Sequence, residues 1–314
     1  MPEILDLRTV QDNTEYNNVI VYMSSCRKLP RKDPNKFYLA GTFTNKDSVL
    51  SFKIWEDNLV NALSQNSMEG RVIRISGKTK TYNNVMDISV TALQPVDDPN
   101  YPISLFLKSA DVNSLFEEFK TFVSTDLSDN ASKLLAFIFS NEKLYDRFKQ
   151  EFAGQKMHDA QVGGLLNHTL KMLRIAKVVY SNEPRMANLP NYKDLLYLSI
   201  ILHDVGKVWE MNMGVYQRNS YVTHRILGIE MLVKYKNVFV QLFDEDFYYQ
   251  VISVLQGHHG EFGDQPNTVA ALIVHLIDML DSQTTGIFDK IENGETELKA
   301  GQVAVRFDSR TLTV

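Results

Sequence analysis

Seven residues in the C-terminal two thirds of the chain are of the types that hold divalent transition metals. They occur in the order histidine, histidine-aspartate, histidine, histidine-histidine, aspartate: His168, His203, Asp204, His224, His258, His259 and Asp278. The chain has seven histidines in all, and five of them fall in this series. Imidazole nitrogens and carboxylate oxygens are the usual protein ligands of such ions. In this order, they predict a site with enough ligands for two metal ions.

The pair His203-Asp204 stands at the end of an apolar run. Burying a neighbouring imidazole and carboxylate there is unfavourable unless a partner compensates them, and a metal ion is a suitable partner. The ordered ligand set resembles that of the HD superfamily of metal-dependent phosphohydrolases. Two divalent ions about 3.5–4 Å apart can bind a phosphodiester and lower the pKa of a bridging water. Asp204 and Lys207 are therefore the predicted catalytic residues, with the Lys207 ammonium stabilising charge in the transition state.

Other interpretations of these residues stay open. A single histidine on a helix is more often a core or surface residue than a ligand, and Lys207 could be a solvated lysine at a helix end. His275 is predicted to pack or to support a ligand, whereas His158 could face the site or not. Asp281 repeats the carboxylate one turn after Asp278, and Asp278 is preferred because it continues the buried face of its helix.

Length and composition indicate a globular protein of about two domains, with 314 residues, 44% hydrophobic and 23% charged. The net charge of −5 gives no overall attraction for nucleic acid, so such binding would need a local basic patch. The single cysteine, Cys26, excludes an internal disulfide framework. The N-terminus does not resemble a signal peptide, and no apolar run approaches the roughly 18 residues of a membrane span. A cytoplasmic location is expected.

The first 95 residues alternate with period two. Strands are predicted at Asn18–Cys26, Phe37–Thr44, Val49–Trp55, Arg71–Thr81 and Val85–Leu93, with a helix at Asp57–Ser67. Five short strands with a helix after the third are typical of an OB-fold, a small all-β barrel that commonly binds single-stranded nucleic acid. Residues 96–103 follow in a proline-rich, non-periodic stretch and are predicted to form a linker.

From Ser104 the spacing of apolar residues becomes helical and predicts an all-α domain over residues 104–301. The predicted helices are Val112–Val123, Ala131–Ser140, Leu165–Tyr180, Lys193–His203, Arg225–Tyr235, Phe247–Gln256 and Thr268–Asp281. The tail, residues 302–314, alternates again and is predicted to form a small strand or a contact in a homo-oligomer.

The barrel offers a candidate surface for single-stranded nucleic acid. Its candidate residues are Arg27, Lys28, Arg31, Lys32, Lys36, Tyr38, Lys53, Trp55 and Tyr82. The five basic residues from Arg27 to Lys36 lie in the loop predicted between the first two strands. Lys53, Trp55 and Tyr38 alternate with apolar core residues and so lie on the opposite strand face, where the rings could stack bases. Such aromatic residues also pack against neighbouring domains, and basic loops are often only solvated.

These motifs and their order resemble the YhaM family of bacterial 3′-5′ exoribonucleases, an N-terminal OB-fold joined to an HD domain. The resemblance covers nearly the whole chain. It depends on the segments 163–169 (GGLLNHT), 203–207 (HDVGK), 257–260 (GHHG), 275–281 (HLIDMLD) and 51–56 (SFKIWE), and on His224. It implies two divalent metal ions, with Mn²⁺ favoured. It also implies digestion of single-stranded RNA, and in some members of single-stranded DNA, from the 3′ end to nucleoside 5′-monophosphates.

The chain departs from that family in three places. The turn at residues 45–48 reads NKDS instead of an Asp-Lys-Thr-Gly type of turn, Asp159 and Gln161 replace a histidine and a tyrosine, and Ala270 replaces a glutamate. None of these changes removes a predicted ligand.

Two other functions remain as hypotheses. One is a phosphodiesterase for cyclic dinucleotides or small nucleotides, although Gly-Tyr-Pro does not follow His258-His259. The other is a non-catalytic RNA-binding adaptor, which the intact ligand series argues against.

Overall fold

Five strands in the first hundred residues close into a barrel in the computed structural model, which describes residues 2–33, 35–46, 48–83, 85–155, 158–217 and 221–292. They are β1 (Glu15–Pro30), β2 (Phe37–Asn45), β3 (Ser48–Ile54), β4 (Arg71–Tyr82) and β5 (Val85–Pro95), with helix α1 (Asp57–Gln65) between β3 and β4. The order around the barrel is β1-β2-β3-β5-β4. Only the β3–β5 pair is parallel. This architecture confirms the predicted all-β barrel.

The barrel core consists of the inward residues of the alternating pattern. Leu50, Phe52 and Ile54 of β3 are buried, as their spacing predicts, and the Phe52 ring stacks on Phe43 at 4.4 Å between ring centroids. Strand β1 is longer than predicted because its pairing with β2 continues as far as Pro30. Arg27 and Lys28 therefore lie in a strand and not in the predicted loop.

Residues 96–103, predicted to form a linker, belong to the same unit as the barrel, Met1–Ser109. The Tyr101 hydroxyl donates a hydrogen bond of 2.7 Å to the Pro2 carbonyl. Phe106 just beyond is fully buried, and its carbonyl accepts a hydrogen bond from the Lys46 backbone. Prolines interrupt regular structure here, but they do not prevent packing.

The second unit, Ala110–Val314, is mainly helical over its described residues. Its helices are α2 (Val112–Asp126), α3 (Asp129–Ile138), α4 (Glu142–Gln150), α5 (Gly164–Asn182), α6 (Tyr192–Leu202), α7 (Lys207–Glu210), α8 (His224–Val233), α9 (Lys236–Leu242), α10 (Glu245–Gly257) and α11 (Val269–Glu292). The strands β6 (Met211–Asn212) and β7 (Val215–Tyr216) form a hairpin after α7. The predicted all-α domain is confirmed, whereas the predicted tail at residues 302–314 lies outside the described residues.

The core of this unit surrounds α6, in which ten of eleven residues are buried. A helix that is buried on nearly every side has no polar face, so any polar group at its end must find a partner inside the protein. That end carries His203 and Asp204. Among the described residues, no helix has both the length and the apolarity needed to cross a membrane.

Candidate metal centre and barrel surface

All seven predicted ligands lie on five helices of the second unit or on the turns that follow them. His168 is in α5, His203 and Asp204 follow α6, His224 begins α8, His258 and His259 follow α10, and Asp278 is in α11. Gly206 allows close packing of two of these segments, because a Cβ atom there would lie 1.9 Å from the His224 carbonyl oxygen. Glycine thus lets the turn after Asp204 pack directly against the first turn of α8.

The ligand atoms form two groups, each with its atoms within 4.8 Å of one another. One group is Asp204, His224, His258 and His259; the other is His168, His203 and Asp278. Asp204 lies between them: its Oδ1 is 3.3 Å from His224 Nε2, and its Oδ2 is 3.3 Å from His203 Nε2. One carboxylate therefore offers an oxygen to each group, which is the arrangement of a bridging ligand.

Backbone carbonyls fix the orientation of two rings. His203 Nδ1 lies 2.7 Å from the Ile200 carbonyl oxygen, and His258 Nδ1 lies 3.0 Å from that of Leu255. A carbonyl oxygen only accepts hydrogen bonds, so Nδ1 must carry a proton, and Nε2 is the nitrogen left to bind a metal ion. Both Nε2 atoms point at Asp204. This second contact is how metal-binding histidines are generally held.

Carboxylates hold two further rings. Asp281 Oδ2 lies 2.7 Å from His168 Nδ1, and Glu210 Oε2 lies 2.7 Å from His224 Nδ1. Asp278 approaches the other side of the His168 ring, with Oδ1 3.3 Å from Nε2. The two aspartates one turn apart thus have different positions. Asp278 lies among the ligand atoms, and Asp281 supports His168 from behind.

Several polar atoms in this cluster are buried without a hydrogen-bond partner among the described residues. They are Nε2 of His168, His203 and His258 and Oδ1 of Asp204. Leaving such an atom unsatisfied costs about 1–3 kcal/mol. Two divalent ions, one in each group, would compensate these four atoms, and imidazole nitrogen with carboxylate oxygen is a suitable donor set for Mn²⁺, Fe²⁺ or Zn²⁺. The residues present therefore fit metal ions.

The charges of the cluster also suit metal binding. Burial opposes ionisation of Asp204, but Lys207 and His203 hold its pKa well below its ordinary value. Burial lowers the pKa of His258 to about 4 and, together with the neighbouring His258, that of His259 to about 3. Both rings are therefore neutral, the form that binds metal. Burial also disfavours a charged His168, yet the adjacent aspartates raise its pKa to about 9, so a metal ion there competes with a proton.

Lys207 lies inside the cluster and not in solvent. Its Nζ is 2.6 Å from Asp204 Oδ2 and donates to the Ala153 carbonyl oxygen, and only 12% of the side chain is exposed. His158 also faces the cluster, with its ring centroid 5.1 Å from that of His168. His275 Nδ1 lies 2.6 Å from the His258 carbonyl oxygen, so this residue supports a ligand segment.

Sequence reasoning missed Glu210, Lys171 and Asp159. Lys171 Nζ lies 3.0 Å from Asp281 and 2.7 Å from Asp159, so it joins both carboxylates beside His168. Glu210 and Lys171 belong to no motif, Asp159 was noted only as a departure from the YhaM pattern, and the partners of all three come from other elements. Only tertiary structure could have identified them.

Replacing Glu210 with glutamine is expected to weaken metal binding about 10- to 100-fold, because His224 loses the carboxylate that orients it. Titration of the metal-free protein with Mn²⁺ would measure this. Glu230→Gln, an exposed glutamate of α8, is the matched control. Equal Mn²⁺ affinities for both variants would show that Glu210 does not support a ligand.

On the barrel, Tyr38 and Trp55 come together as the alternation predicts. Their rings stack with centroids 4.5 Å apart, and Trp55 is 43% exposed. Arg31 supports this pair: its guanidinium donates to the Phe37 and Trp55 carbonyl oxygens and pairs with Asp57 at 2.8 Å. Much of its hydrogen-bonding capacity is thus used within the barrel.

The other residues predicted to contact nucleic acid are more dispersed over the barrel. Lys53 pairs with Asp87, and Lys28 Nζ lies 4.6 Å from the centre of the Phe37 ring. Arg27, Lys32 and Lys36 are exposed. Tyr82 is 69% exposed, but it lies at the other end of the barrel from Trp55, because β3 and β5 run parallel and Tyr82 pairs with Val85 at the start of β5.

Comparison with known proteins gives a match to one family model and to several named relatives. The model of the HD domain family matches residues 165–283. A "3′-5′ exoribonuclease YhaM" from Listeria welshimeri is 26% identical over 267 residues, 82% of each chain. The protein of that name from Bacillus subtilis is 26% identical over 224 residues, 68% of each chain. The mitochondrial single-stranded DNA-binding protein Rim1 of S. cerevisiae matches 27% of this chain and 96% of its own, with a TM-score of 0.23 and 10% identity.

The HD match contains six of the seven histidines and every predicted metal ligand. The YhaM matches extend well beyond it, which confirms the resemblance predicted from the sequence. The chain is therefore an HD-domain hydrolase that resembles the YhaM 3′-5′ exoribonucleases over most of its length.

Proposed function

We propose that this protein is a metal-dependent 3′-5′ exoribonuclease that digests single-stranded RNA and releases nucleoside 5′-monophosphates. The observation that carries the proposal is the position of Asp204, which offers one oxygen to each of two buried groups of metal-type ligands. The YhaM relatives bear the name of this activity.

When bound, divalent ions would supply Lewis-acid activation of the phosphodiester and a hydroxide near neutral pH. His168, His203 and Asp278 would hold one ion, and His224, His258 and His259 the other, with Asp204 common to both. We assign Mn²⁺ as the preferred ion.

The chain's own residues would contribute charge and orientation. Lys207 holds its ammonium beside Asp204 in a site from which solvent is largely excluded. A positive charge fixed there in advance stabilises negative charge that develops on the phosphate, without reorganisation at the moment of reaction. Asp281 and Glu210 keep the His168 and His224 rings in the orientation that binding requires.

The barrel would capture the RNA strand. Stacked rings with an exposed edge and a nearby guanidinium are the usual means of holding unpaired bases without sequence preference. The exposed lysines Lys32 and Lys36 would contact phosphates, which makes binding sensitive to salt.

Replacing Trp55 with alanine is expected to weaken binding of single-stranded RNA by about 1–3 kcal/mol, because one stacking position is lost. Tyr82→Ala is expected to have a smaller effect, since Tyr82 lies at the other end of the barrel. Fluorescence anisotropy of a labelled oligonucleotide, measured in EDTA to prevent digestion, compares the two. If both variants bind as tightly as the wild type, the barrel does not capture RNA through these rings.

One assay separates this function from its alternatives. The protein is incubated with Mn²⁺ and either 5′-labelled single-stranded RNA or a cyclic dinucleotide. The proposal predicts a ladder of RNA shortened from the 3′ end. Turnover of the cyclic dinucleotide alone would indicate a phosphodiesterase, and RNA binding without cleavage would indicate an adaptor.

Three finer assignments belong to the same proposal. Single-stranded DNA is a second substrate, the protein forms a homo-oligomer, and it acts in the cytoplasm. Digestion of a single-stranded DNA oligonucleotide and sedimentation of the purified protein test the first two.

A further inference from the structure

A short hairpin follows α7 and leads away from the metal centre's residue Glu210. Strands β6 and β7 are joined by Met213 and Gly214, both with positive φ, 50° and 74°. A two-residue turn of this kind matches the twist of paired strands and gives a tight, regular hairpin. The hairpin was not predicted from the sequence.

Side chains of the segment 147–152 contact the hairpin and fix its backbone. Glu151 is fully buried, and its Oε1 accepts a hydrogen bond of 2.9 Å from the Gly214 backbone. Its Oε2 lies 3.1 Å from Arg147, which in turn donates to the Met211 carbonyl oxygen. The Phe152 ring leaves no space for a side chain at Gly214, since a Cβ atom there would lie 2.5 Å from it. The backbone of the hairpin is therefore fixed in advance of any ligand.

Tyr216 is an exposed aromatic residue of this hairpin. It pairs with Met211, and the next residue, Gln217, donates a backbone hydrogen bond of 2.9 Å to the Glu210 carbonyl oxygen. Half of the Tyr216 side chain is exposed. Tyr216 thus lies opposite Met211, the residue after Glu210, and the Glu210 carboxylate holds the His224 ring of the candidate metal centre. Burial and the Glu210 carboxylate raise the pKa of the Tyr216 hydroxyl, and Lys207 opposes this rise.

Tyr216 is an exposed aromatic ring on a rigid hairpin beside the proposed site of phosphodiester cleavage. A nucleobase next to the cleaved phosphodiester is a suitable ligand for such a ring. Every base has a π-face that can stack on such a ring, so no sequence preference is needed. A ring fixed in advance also loses little conformational entropy when a base stacks on it.

We propose that Tyr216 stacks on the base of the 3′-terminal nucleotide and so positions its phosphodiester over the metal ligands. This inference rests on the proposed exonuclease function and adds a base-binding position to it. Tyr216 acts as a positioning residue: it contacts the substrate's base and not the reacting atoms.

The test compares two single-stranded RNA oligonucleotides that differ only in the terminal nucleotide, which is either intact or abasic. For the wild type, kcat/KM is expected to be about 5- to 100-fold higher on the intact strand, the range that one stacked base provides. Tyr216→Ala is expected to abolish this preference and to cleave the abasic strand at the wild-type rate. Tyr216→Phe keeps the ring and should keep the preference.

Two further variants control for structural effects. Tyr216→Leu retains apolar volume beside Met211 but has no π-face, so it should also lose the preference. Phe137→Ala removes a comparably exposed ring from α3, which carries no predicted ligand, and should keep the preference. Circular dichroism and thermal melting of each variant confirm that it is folded.

The inference would be overturned if Tyr216→Ala slowed both oligonucleotides by the same factor, or if it kept the wild-type preference. If the proposed exonuclease function itself were wrong, the result would be different, because the wild type would digest neither oligonucleotide. As a measure independent of turnover, 2-aminopurine at the 3′ end should be quenched on binding in EDTA by the wild type and less by Tyr216→Ala.

Discussion

Asp204→Ala is expected to lower RNA hydrolysis by at least about 1,000-fold, a loss typical of a group that organises charge in an active site. The substitution removes an oxygen from each of the two ligand groups at once. Initial rates on 5′-labelled RNA in Mn²⁺ measure the loss. Asp246→Ala, an exposed aspartate of α10, is the matched control and should retain full activity.

The same substitution has a structural consequence that must be separated from the chemical one. Asp204 neutralises the Lys207 ammonium, and removal of one partner of a buried ion pair can cost about 3–5 kcal/mol. Asp204→Asn keeps the volume and is expected to be more stable than Asp204→Ala while equally inactive. A melting curve for each variant checks stability. If Asp204→Asn kept more than a tenth of the wild-type rate, Asp204 would not be the shared ligand.

A blocked 3′ end is expected to stop digestion almost completely, whereas a blocked 5′ end should have little effect. The predicted ligands lie deep in the helical unit: His168, His203 and His258 are fully buried, and Asp204 is 3% exposed. A site so enclosed admits the end of a single strand more readily than a continuous loop of RNA. Denaturing gels of RNA carrying a bulky group at either terminus give the comparison.

Circular RNA provides the control for direction of attack. It has the same bonds but no end, so it is expected to survive under conditions that digest the linear strand. Rapid internal cleavage of the circle would contradict the exonuclease assignment and leave the metal chemistry in place. Base-paired RNA without a 3′ overhang should resist as well, since its bases are not free to stack on Trp55 or Tyr38.

Periodicity was enough to predict most of the fold. The barrel strands and eight of the helices lie close to their predicted positions because their apolar residues repeat at regular intervals. Helix α4 was missed because its nine residues are mostly polar, with only Leu144 and Phe148 buried. Helix α7 and the hairpin after it are too short to show any period.

The candidate site was predictable to the extent that its residues form motifs. The seven ligands stand in recognisable segments, and the structure brings all of them together. Their supports could not be predicted, because the contact of Glu210 with His224 depends on how separate elements pack. Similarly, charge alone suggested that Arg31 contacts phosphate, and nothing in the sequence shows that carbonyl oxygens of the barrel already occupy its guanidinium.

The most direct test of the proposed metal-dependent exoribonuclease activity is digestion of 5′-labelled single-stranded RNA by the purified protein before and after metal removal. With Mn²⁺, the label should move through a ladder of progressively shorter fragments. Excess EDTA should stop the reaction, and Mn²⁺ added beyond the chelator should restore it. Metal analysis of the active protein should find close to two divalent ions per chain. Undiminished digestion in excess EDTA would contradict the account, as would an intact RNA in the presence of Mn²⁺.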